Sequence, residues 1–261
     1  MPTFKRALVA ILPSRVVEIL RNLRFLARTD APTAVVVRYL RSALGGRRSL
    51  AAYQPSLDAF RQRAQSLRLS NDWFTYHIPH WLSVFDEYSL QTKARLKVLE
   101  IGSWEGLSSY FILDSLRNAE LTCVDTWQGA DEHTSGYAAT EQVLSAIEST
   151  FDANLAPFGA RLTKYRGTSF SFFNENNERS KFDLIYVDGS HYCDDVIVDA
   201  IKCFQMLRTG GVIIFDDYLW RYYRRAVDNP AAAINAFLRL KKGSYKLFRV
   251  YAQLIIEKTK D

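Results

Sequence analysis

The chain is short of cysteine: it has three in 261 residues, Cys123, Cys193 and Cys203, and no CxxC pair. An odd, scattered set of thiols excludes a disulfide scaffold and argues against a zinc site built on thiolates. It fits a reducing compartment, so the expected location is cytoplasmic. Long hydrophobic runs are also missing. No segment approaches the roughly 18 uninterrupted apolar residues of a membrane span, which argues against an integral membrane protein. Internal repeats and low-complexity tracts are absent. At 48% hydrophobic and 24% charged residues, the composition is neither disordered nor collagen-like. The length suits one well-cored domain and a smaller addition.

Acidic residues are scarce at the front. Residues 1–50 hold ten Lys and Arg against Glu18 and Asp30 alone, so this segment outweighs the whole net charge of +6. The rest of the chain is nearly neutral, and the basic balance says little about its chemistry. Leu8, Leu12, Val16, Ile19, Leu23 and Leu26 recur at helical spacing, with Arg21, Arg24 and Arg28 on a different face. A helix is predicted over Ser14–Arg28, just after Pro13. Lys5-Arg6 and the run Ala7–Leu12 look superficially like a signal peptide, but Pro13 ends the run and no small-residue cleavage site follows. A basic amphipathic helix suits an anionic membrane or a phosphate backbone. It suits equally well a helix packed on the main domain or on a second subunit, its arginines in water. Peripheral membrane contact through residues 1–50 and homo-oligomerisation therefore both stand as expectations.

Gly45-Gly46-Arg47-Arg48-Ser49 is the best linker candidate. Leu57, Phe60, Ala64 and Leu67 predict another helix, and an aromatic and histidine cluster follows over Trp73–Trp81. Residues 1–90 are expected to form a helical extension or cap, and residues 91–261 the main domain. His77, His80 and Trp81 could fold over a ligand as a lid or serve structure alone.

From Lys97 the pattern alternates. Strands are predicted at Lys97–Ile101, Leu121–Val124, Leu162–Tyr165, Asp183–Val187 and Gly211–Phe215. Helices are predicted over Gly106–Arg117, about Tyr137–Phe151, Ser169–Asn177 and Asp194–Leu207. Such alternation gives a parallel sheet with helices on both faces, an α/β fold. The end differs: a helix over Pro230–Leu240 precedes Tyr245–Tyr251 and Gln253–Glu257, two β-rich runs with little between them, which suggests an antiparallel closing pair. In such sheets ligands bind beyond the carboxyl ends of the strands.

The residues at those ends are informative. The first strand runs into Gly102-Ser103-Trp104-Glu105-Gly106, where two glycines flank a tight strand-to-helix turn. The second ends in Asp125, an acid able to accept bonds from two ribose hydroxyls. Together they point to an adenosine-containing ligand. A dinucleotide fingerprint needs a bare glycine where Trp104 stands, so a ligand without pyrophosphate is favoured, such as S-adenosylmethionine (SAM). No Walker lysine motif is present.

On these residues the sequence resembles the class I SAM-dependent methyltransferases. The resemblance rests on Val98–Gly106, Val124-Asp125-Thr126-Trp127, Tyr186–Tyr192 and Gly210–Tyr218, and covers about residues 70–258. Within the class it is most similar to small bacterial enzymes resembling metal-dependent O-methyltransferases of the macrolide and aminocoumarin sugar type. The resemblance implies a Rossmann-like seven-stranded sheet with its last pair antiparallel. It also implies that Gly102 and Gly106 border the methionine part of SAM, with Glu100 supporting the turn and Ser103 and Trp104 also among the cofactor-binding residues. Asp125 would bind the ribose, and Thr126 and Trp127 would lie beside the adenosine. Ser169 would contact the adenine edge or merely cap a helix.

Asp188 ends one strand while Asp216 and Asp217 end its neighbour, so the three carboxylates should converge. Their repulsion needs a cation or hydrogen bonds to offset it, and an oxygen-only set suits Mg²⁺. Alternatively, Asp188 contacts the amino group of SAM or orders a loop, and Asp216 and Asp217 orient the next segment. In the antibiotic-sugar enzymes an acid stands two positions after the first metal aspartate. Here that position is Ser190, and His191 is the alternative base. Trp127–His133 and Leu219–Arg225 are candidates to line an acceptor pocket.

The leading expectation is methyl transfer from SAM to a hydroxyl of a small acceptor, a saccharide or secondary metabolite, with Mg²⁺ assisting. Nucleic acid is a less favoured partner, because the Asn/Asp-Pro-Pro-aromatic signature of amino-methylating enzymes is missing. An RNA methyltransferase and a non-catalytic SAM-binding or membrane-associated scaffold remain as alternatives.

Overall fold

A strand covered by helices on both faces has no polar side to alternate with. Phe182–Val187 (β4) shows this, since all six of its residues are buried. In the computed structural model, which describes residues 12–130 and 139–261 and of residues 46–49 only the backbone, β4 is the middle strand of seven. The others are Leu96–Ile101 (β1), Ala119–Asp125 (β2), Leu162–Arg166 (β3), Leu207–Phe215 (β5), Tyr245–Val250 (β6) and Leu254–Lys258 (β7). Their order is β3-β2-β1-β4-β5-β7-β6. The first five run parallel, and β7 lies antiparallel to both β5 and β6. The α/β architecture with an antiparallel closing pair is the one the sequence pattern predicts.

Helices follow in chain order as Ser14–Arg28 (α1), Thr33–Leu50 (α2), Gln54–Ala64 (α3), Ile78–Glu87 (α4) and Leu107–Ser115 (α5). Then come Glu141–Leu155 (α6), Ser169–Glu175 (α7), Cys193–Met206 (α8) and Pro230–Leu240 (α9). One face of the sheet packs against α7, α8 and α9 together with Phe25, Leu26, Val35 and Tyr39 of the first two helices. The other packs against α5 and α6 together with Leu57 and Phe60 of α3 and Trp81 and Phe85 of α4. The first ninety residues thus contribute to both cores. No helix among the described residues is long and apolar enough to cross a membrane.

Three expectations change. The linker at Gly45–Ser49 is instead the last part of α2, which continues to Leu50. Two glycines cost a helix about 1 kcal/mol each, a penalty that packing of Val35 and Tyr39 nearer the helix start outweighs. Strand β5 begins at Leu207, four residues before Gly211, because a register shift opposite Phe182 and Leu184 lets the pairing continue past the glycines. In α1 the apolar periodicity is buried only in its second half: Phe25 and Leu26 enter the core, while Val16 and Leu20 stay exposed. Lys5-Arg6, most of the Ala7–Leu12 run and Asp131-Glu132-His133 lie outside the described residues.

The front of the chain is fastened by a buried amide. Asn235 of α9 donates from Nδ2 to the Thr29 carbonyl at 3.0 Å and accepts from the Tyr218 hydroxyl at 2.7 Å. Replacing Asn235 with alanine strands both partners in the core. The expected loss is about 2–4 kcal/mol of unfolding free energy, measured by urea titration; an unchanged midpoint would contradict this role.

Candidate active site

The carboxyl ends of β1, β2, β4 and β5 meet at one edge of the sheet, and the turns leaving them form the site. Backbone bonds set their relative height: Gly102 N donates to Val124 O at 2.9 Å, Asp188 N to Ile101 O at 2.7 Å and Asp216 N to Val187 O at 2.9 Å. Gly102 has φ +84°, and a Cβ there would sit 1.9 Å from the Asp188 carbonyl oxygen. Only glycine permits the turn after β1 to touch the turn after β4. Gly106, at φ +87°, starts α5 where a Cβ would strike Leu155 of α6.

Asp125 holds the first turn closed. Its Oδ2 accepts from the amides of Ser103 at 2.7 Å and Trp104 at 2.9 Å, and its Oδ1 from the Trp127 amide at 2.7 Å. Three of the roughly four acceptor positions of a carboxylate therefore serve the main chain. Trp104 and Trp127 both have positive φ, +46° and +52°, conformations that these bonds help to sustain. The Trp127 indole donates to the Trp104 carbonyl at 3.0 Å and packs on Phe151. At 4% exposure it belongs to the core, while Thr126 is half-buried beside it. Trp104 faces Trp73, with ring centroids 5.5 Å apart.

Glu100 is wholly inside. Its carboxylate accepts from Ser103 at 3.0 Å, Ser108 at 2.5 Å, Cys123 at 3.3 Å, and Ser109. Burial pushes this carboxyl above the ordinary glutamate range, against the pull of those four bonds. Glu100 thus braces the turn from beneath. Glu105, which the sequence reading did not single out, takes the Ser70 amide and hydroxyl at 2.7 and 2.9 Å. It pins the segment before α4 over the same turn.

The acid cluster separates into two parts. One carboxylate oxygen each from Asp188 and Asp217 and one ring nitrogen of His191 lie within 4.8 Å of one another. His191 Nε2 is 2.9 Å from Asp217 Oδ2 and 3.7 Å from Asp188 Oδ1, and its ring lies against Trp220 at 4.9 Å. Asp216 is not in this group. It turns inward, where Oδ2 accepts from Gln253 Nε2 at 2.8 Å and from the Tyr186 hydroxyl, and Oδ1 lies 3.7 Å from His77 Nε2. The expected trio of carboxylates becomes two carboxylates and an imidazole, because the buried phenol and amide offer Asp216 better partners than water does.

Tyr186 also donates to Asp188 Oδ2 at 2.9 Å. A phenol has one proton, so of two carboxylates leaning on Oη only one accepts it fully. Burial, then the Asp216 charge, raises the Asp188 carboxyl above the ordinary aspartate range, with His191 opposing. Tyr186 and Gln253 were missed because both read as sheet-core residues. Alternation does supply a signal for the tyrosine, since residues two apart on a strand share a face, and Tyr186 stands two before Asp188.

His77 and Trp81 are core residues, 1% and 0% exposed, and His80 stacks on Tyr251 at 3.7 Å. Burial, aided by Arg249, brings the His80 imidazole down to about 3. Their role is structural packing beneath the site. Thr168, not Ser169, caps α7, accepting from the Ser171 amide at 3.1 Å. The Ser169 hydroxyl bonds instead to Asp199 of α8.

Asp199 is 2% exposed, and burial raises its carboxyl to about 7 although the Ser169 bond opposes this. The native state therefore holds a proton that the unfolded chain releases near pH 4, and stability falls as pH rises from about 4 to about 7. Asp199→Asn should flatten that slope and raise stability at pH 8 by on the order of 2 kcal/mol. Parallel pH–stability curves for the two proteins would contradict the shift.

Residues 99–218 match a family model described as a methyltransferase domain. An uncharacterized protein of Sinorhizobium fredii is 27% identical over 139 residues, 49% of this chain and 14% of that protein; the chain spans a small part of this relative's length. Among solved structures, the MycE methyltransferase of the mycinamycin biosynthetic pathway, in complex with Mg, SAH and mycinamycin VI, aligns with TM-score 0.54 and 17% identity. The alignment covers 86% of this chain and 61% of that one. A caffeoyl-CoA O-methyltransferase homologue from Staphylococcus aureus aligns with TM-score 0.51 and 15% identity over 83% of this chain and 99% of that one. An O-methyltransferase from Bacillus cereus in complex with SAH aligns with TM-score 0.50 and 15% identity over 86% and 98%. At these identities the likeness is one of fold.

Proposed function

We propose that residues 99–218, which match a methyltransferase-domain model, bind SAM, and that the chain methylates a hydroxyl of a small acceptor, a saccharide or secondary metabolite. The observation that carries this reading is the contact of the Gly102 turn with Asp188. It joins the candidate cofactor turn directly to the Asp188, His191 and Asp217 cluster, so donor and acceptor chemistry share one edge of the sheet.

In this reading, Gly102 and Gly106 give the cofactor access to the backbone, with Ser103 and Trp104 beside it. The remaining acceptor capacity of Asp125 takes a ribose hydroxyl, and Thr126 and Ser169 border the adenosine. Bound SAM supplies a sulfonium methyl, an electrophile that leaves behind a neutral thioether. Asp217 Oδ2 lies 2.9 Å from His191 Nε2, close enough for its charge to favour the protonated imidazole of a general base. His191 accepts the proton of the acceptor hydroxyl as the oxygen takes the methyl group, and later releases it to water. Leu219–Arg225 lies alongside, its Trp220 and Tyr222 stacked at 5.1 Å as a flat wall suited to an acceptor ring.

The donor atoms of Asp188, His191 and Asp217 also fit a divalent cation. An imidazole in the set moves the preference from Mg²⁺ towards Mn²⁺ and its neighbours. Such an ion, when bound, lowers the pKa of a ligated hydroxyl. Asp188, His191 and Asp217 would hold it in place of the proton-accepting role of His191, with Tyr186 fixing the position of Asp188 from below.

Asp125→Ala is expected to weaken SAM binding about 10–100-fold by titration calorimetry; unchanged affinity would remove the cofactor assignment. His191→Ala should lower kcat by roughly 10²–10⁴-fold, and a normal rate would eliminate it as base. Calorimetric Mn²⁺ binding that survives in Asp217→Asn would dismiss the cation site, as would full turnover in excess EDTA.

A further inference from the structure

Helix α1 carries an apolar stripe longer than the body it packs on. Its second half places Phe25 and Leu26 in the core, with Leu23 packed against it. Val16 and Leu20, four apart on one side of the helix, are 38% and 51% exposed, and Leu12, just before its start, is 36% exposed. A stripe of this kind in water costs free energy and carries no benefit to the fold.

The charge beside the stripe has one sign. The helix holds Arg15, Arg21, Arg24 and Arg28 against a single acid, Glu18. Arg21, Arg24 and Arg28 are exposed and make no ion pair with the described residues. Their 3- and 4-residue spacing puts them along the flank of the stripe. The neighbouring α2 runs antiparallel, as the bonds from Arg15 to the Ala43 carbonyl and from Asn22 to the Tyr39 hydroxyl require. It adds exposed Val37 and Leu44 and the exposed Arg41.

Apolar side chains flanked by unpaired guanidinium groups match a surface with hydrocarbon beneath a layer of negative charge. A second copy of this basic helix would repel the first. We propose that the exposed side of α1 is a peripheral docking surface for an anionic lipid bilayer, with Val16 and Leu20 entering the interface and Arg21, Arg24 and Arg28 meeting the headgroups. The docked helix is tied to the wall beside the acid cluster. Arg221 donates to Asn22 of α1 at 2.6 Å and lies over the Phe25 ring. A membrane under α1 would therefore lie next to the loop that borders the site. The binding itself is independent of methyl transfer.

Vesicle co-sedimentation of the full chain, without SAM, tests the proposal. Vesicles of phosphatidylcholine with 30% phosphatidylglycerol are expected to retain the protein at least tenfold more strongly than pure phosphatidylcholine, with retention falling as salt is raised. Val16→Glu/Leu20→Glu and Arg21→Glu/Arg24→Glu should each lower retention about tenfold, with circular dichroism and SAM affinity unchanged. Equal retention by both vesicle types, or undiminished retention of either variant, would overturn it. So would a concentration-dependent dimer in sedimentation equilibrium that Leu20→Glu dissolves while vesicles bind nothing, since the stripe would then belong to a second copy. Loss of SAM affinity in Asp125→Ala leaves this measurement untouched, so the two readings fail separately.

Discussion

The site depends on one close approach, that of the Gly102 backbone to the Asp188 carbonyl. Parallel strands leave a sheet pointing the same way, and their following turns ordinarily diverge to make room for side chains. Removing one Cβ lets the turns after β1 and β4 touch. The contact fixes the glycine turn against the acid cluster without any bond between side chains. Asp125 then closes the turn with three main-chain bonds, and Glu100 braces it from the core.

Beneath the cluster lies a second layer made of neutral groups. Tyr186, Gln253 and Trp81 hand hydrogen bonds upward in series: the Trp81 indole donates to Gln253 at 2.9 Å, and Gln253 donates to Asp216 at 2.8 Å. Networks of this type stabilise a buried carboxylate only while each member is satisfied. This explains why Asp216 faces inward although it adjoins Asp217 in sequence. Its negative charge raises the proton affinity of Asp188 and so links the core network to the surface cluster. The layer also joins distant parts of the chain: Trp81 comes from α4, Tyr186 from β4, and Gln253 from the turn before β7.

The front of the chain shows how one amphipathic pattern can serve two environments. In α1 the period is uniform, but the body beneath it ends. The rear of the stripe is protein core and its front is surface. Asn22 and Phe25, at the changeover, hold Arg221, so the helix and the loop after β5 form one unit. The basic segment therefore has a physical connection to the site even though none of its described residues supplies a side chain to the cluster.

The sequence alone determined the α/β class with its antiparallel closing pair and the placement of the turns after β1 and β2. Apolar runs separated by helical periods admit few foldings, and glycine and acid at strand ends have local reasons to be there. Helix α1 over Ser14–Arg28 and α9 over Pro230–Leu240 were legible because proline marks where each begins. The linker at Gly45–Ser49 was misread because helix propensity is a weak local preference that packing elsewhere on α2 overrides. What tertiary structure decided was orientation. Nothing in Asp216-Asp217 says that one carboxylate faces a buried phenol and the other a histidine. That choice is made by Tyr186, Gln253 and His77, brought together from positions far apart in the chain. Likewise the periodicity of α1 could not say where its apolar stripe leaves the core, because the edge of a folded body exists only after the sheet has formed.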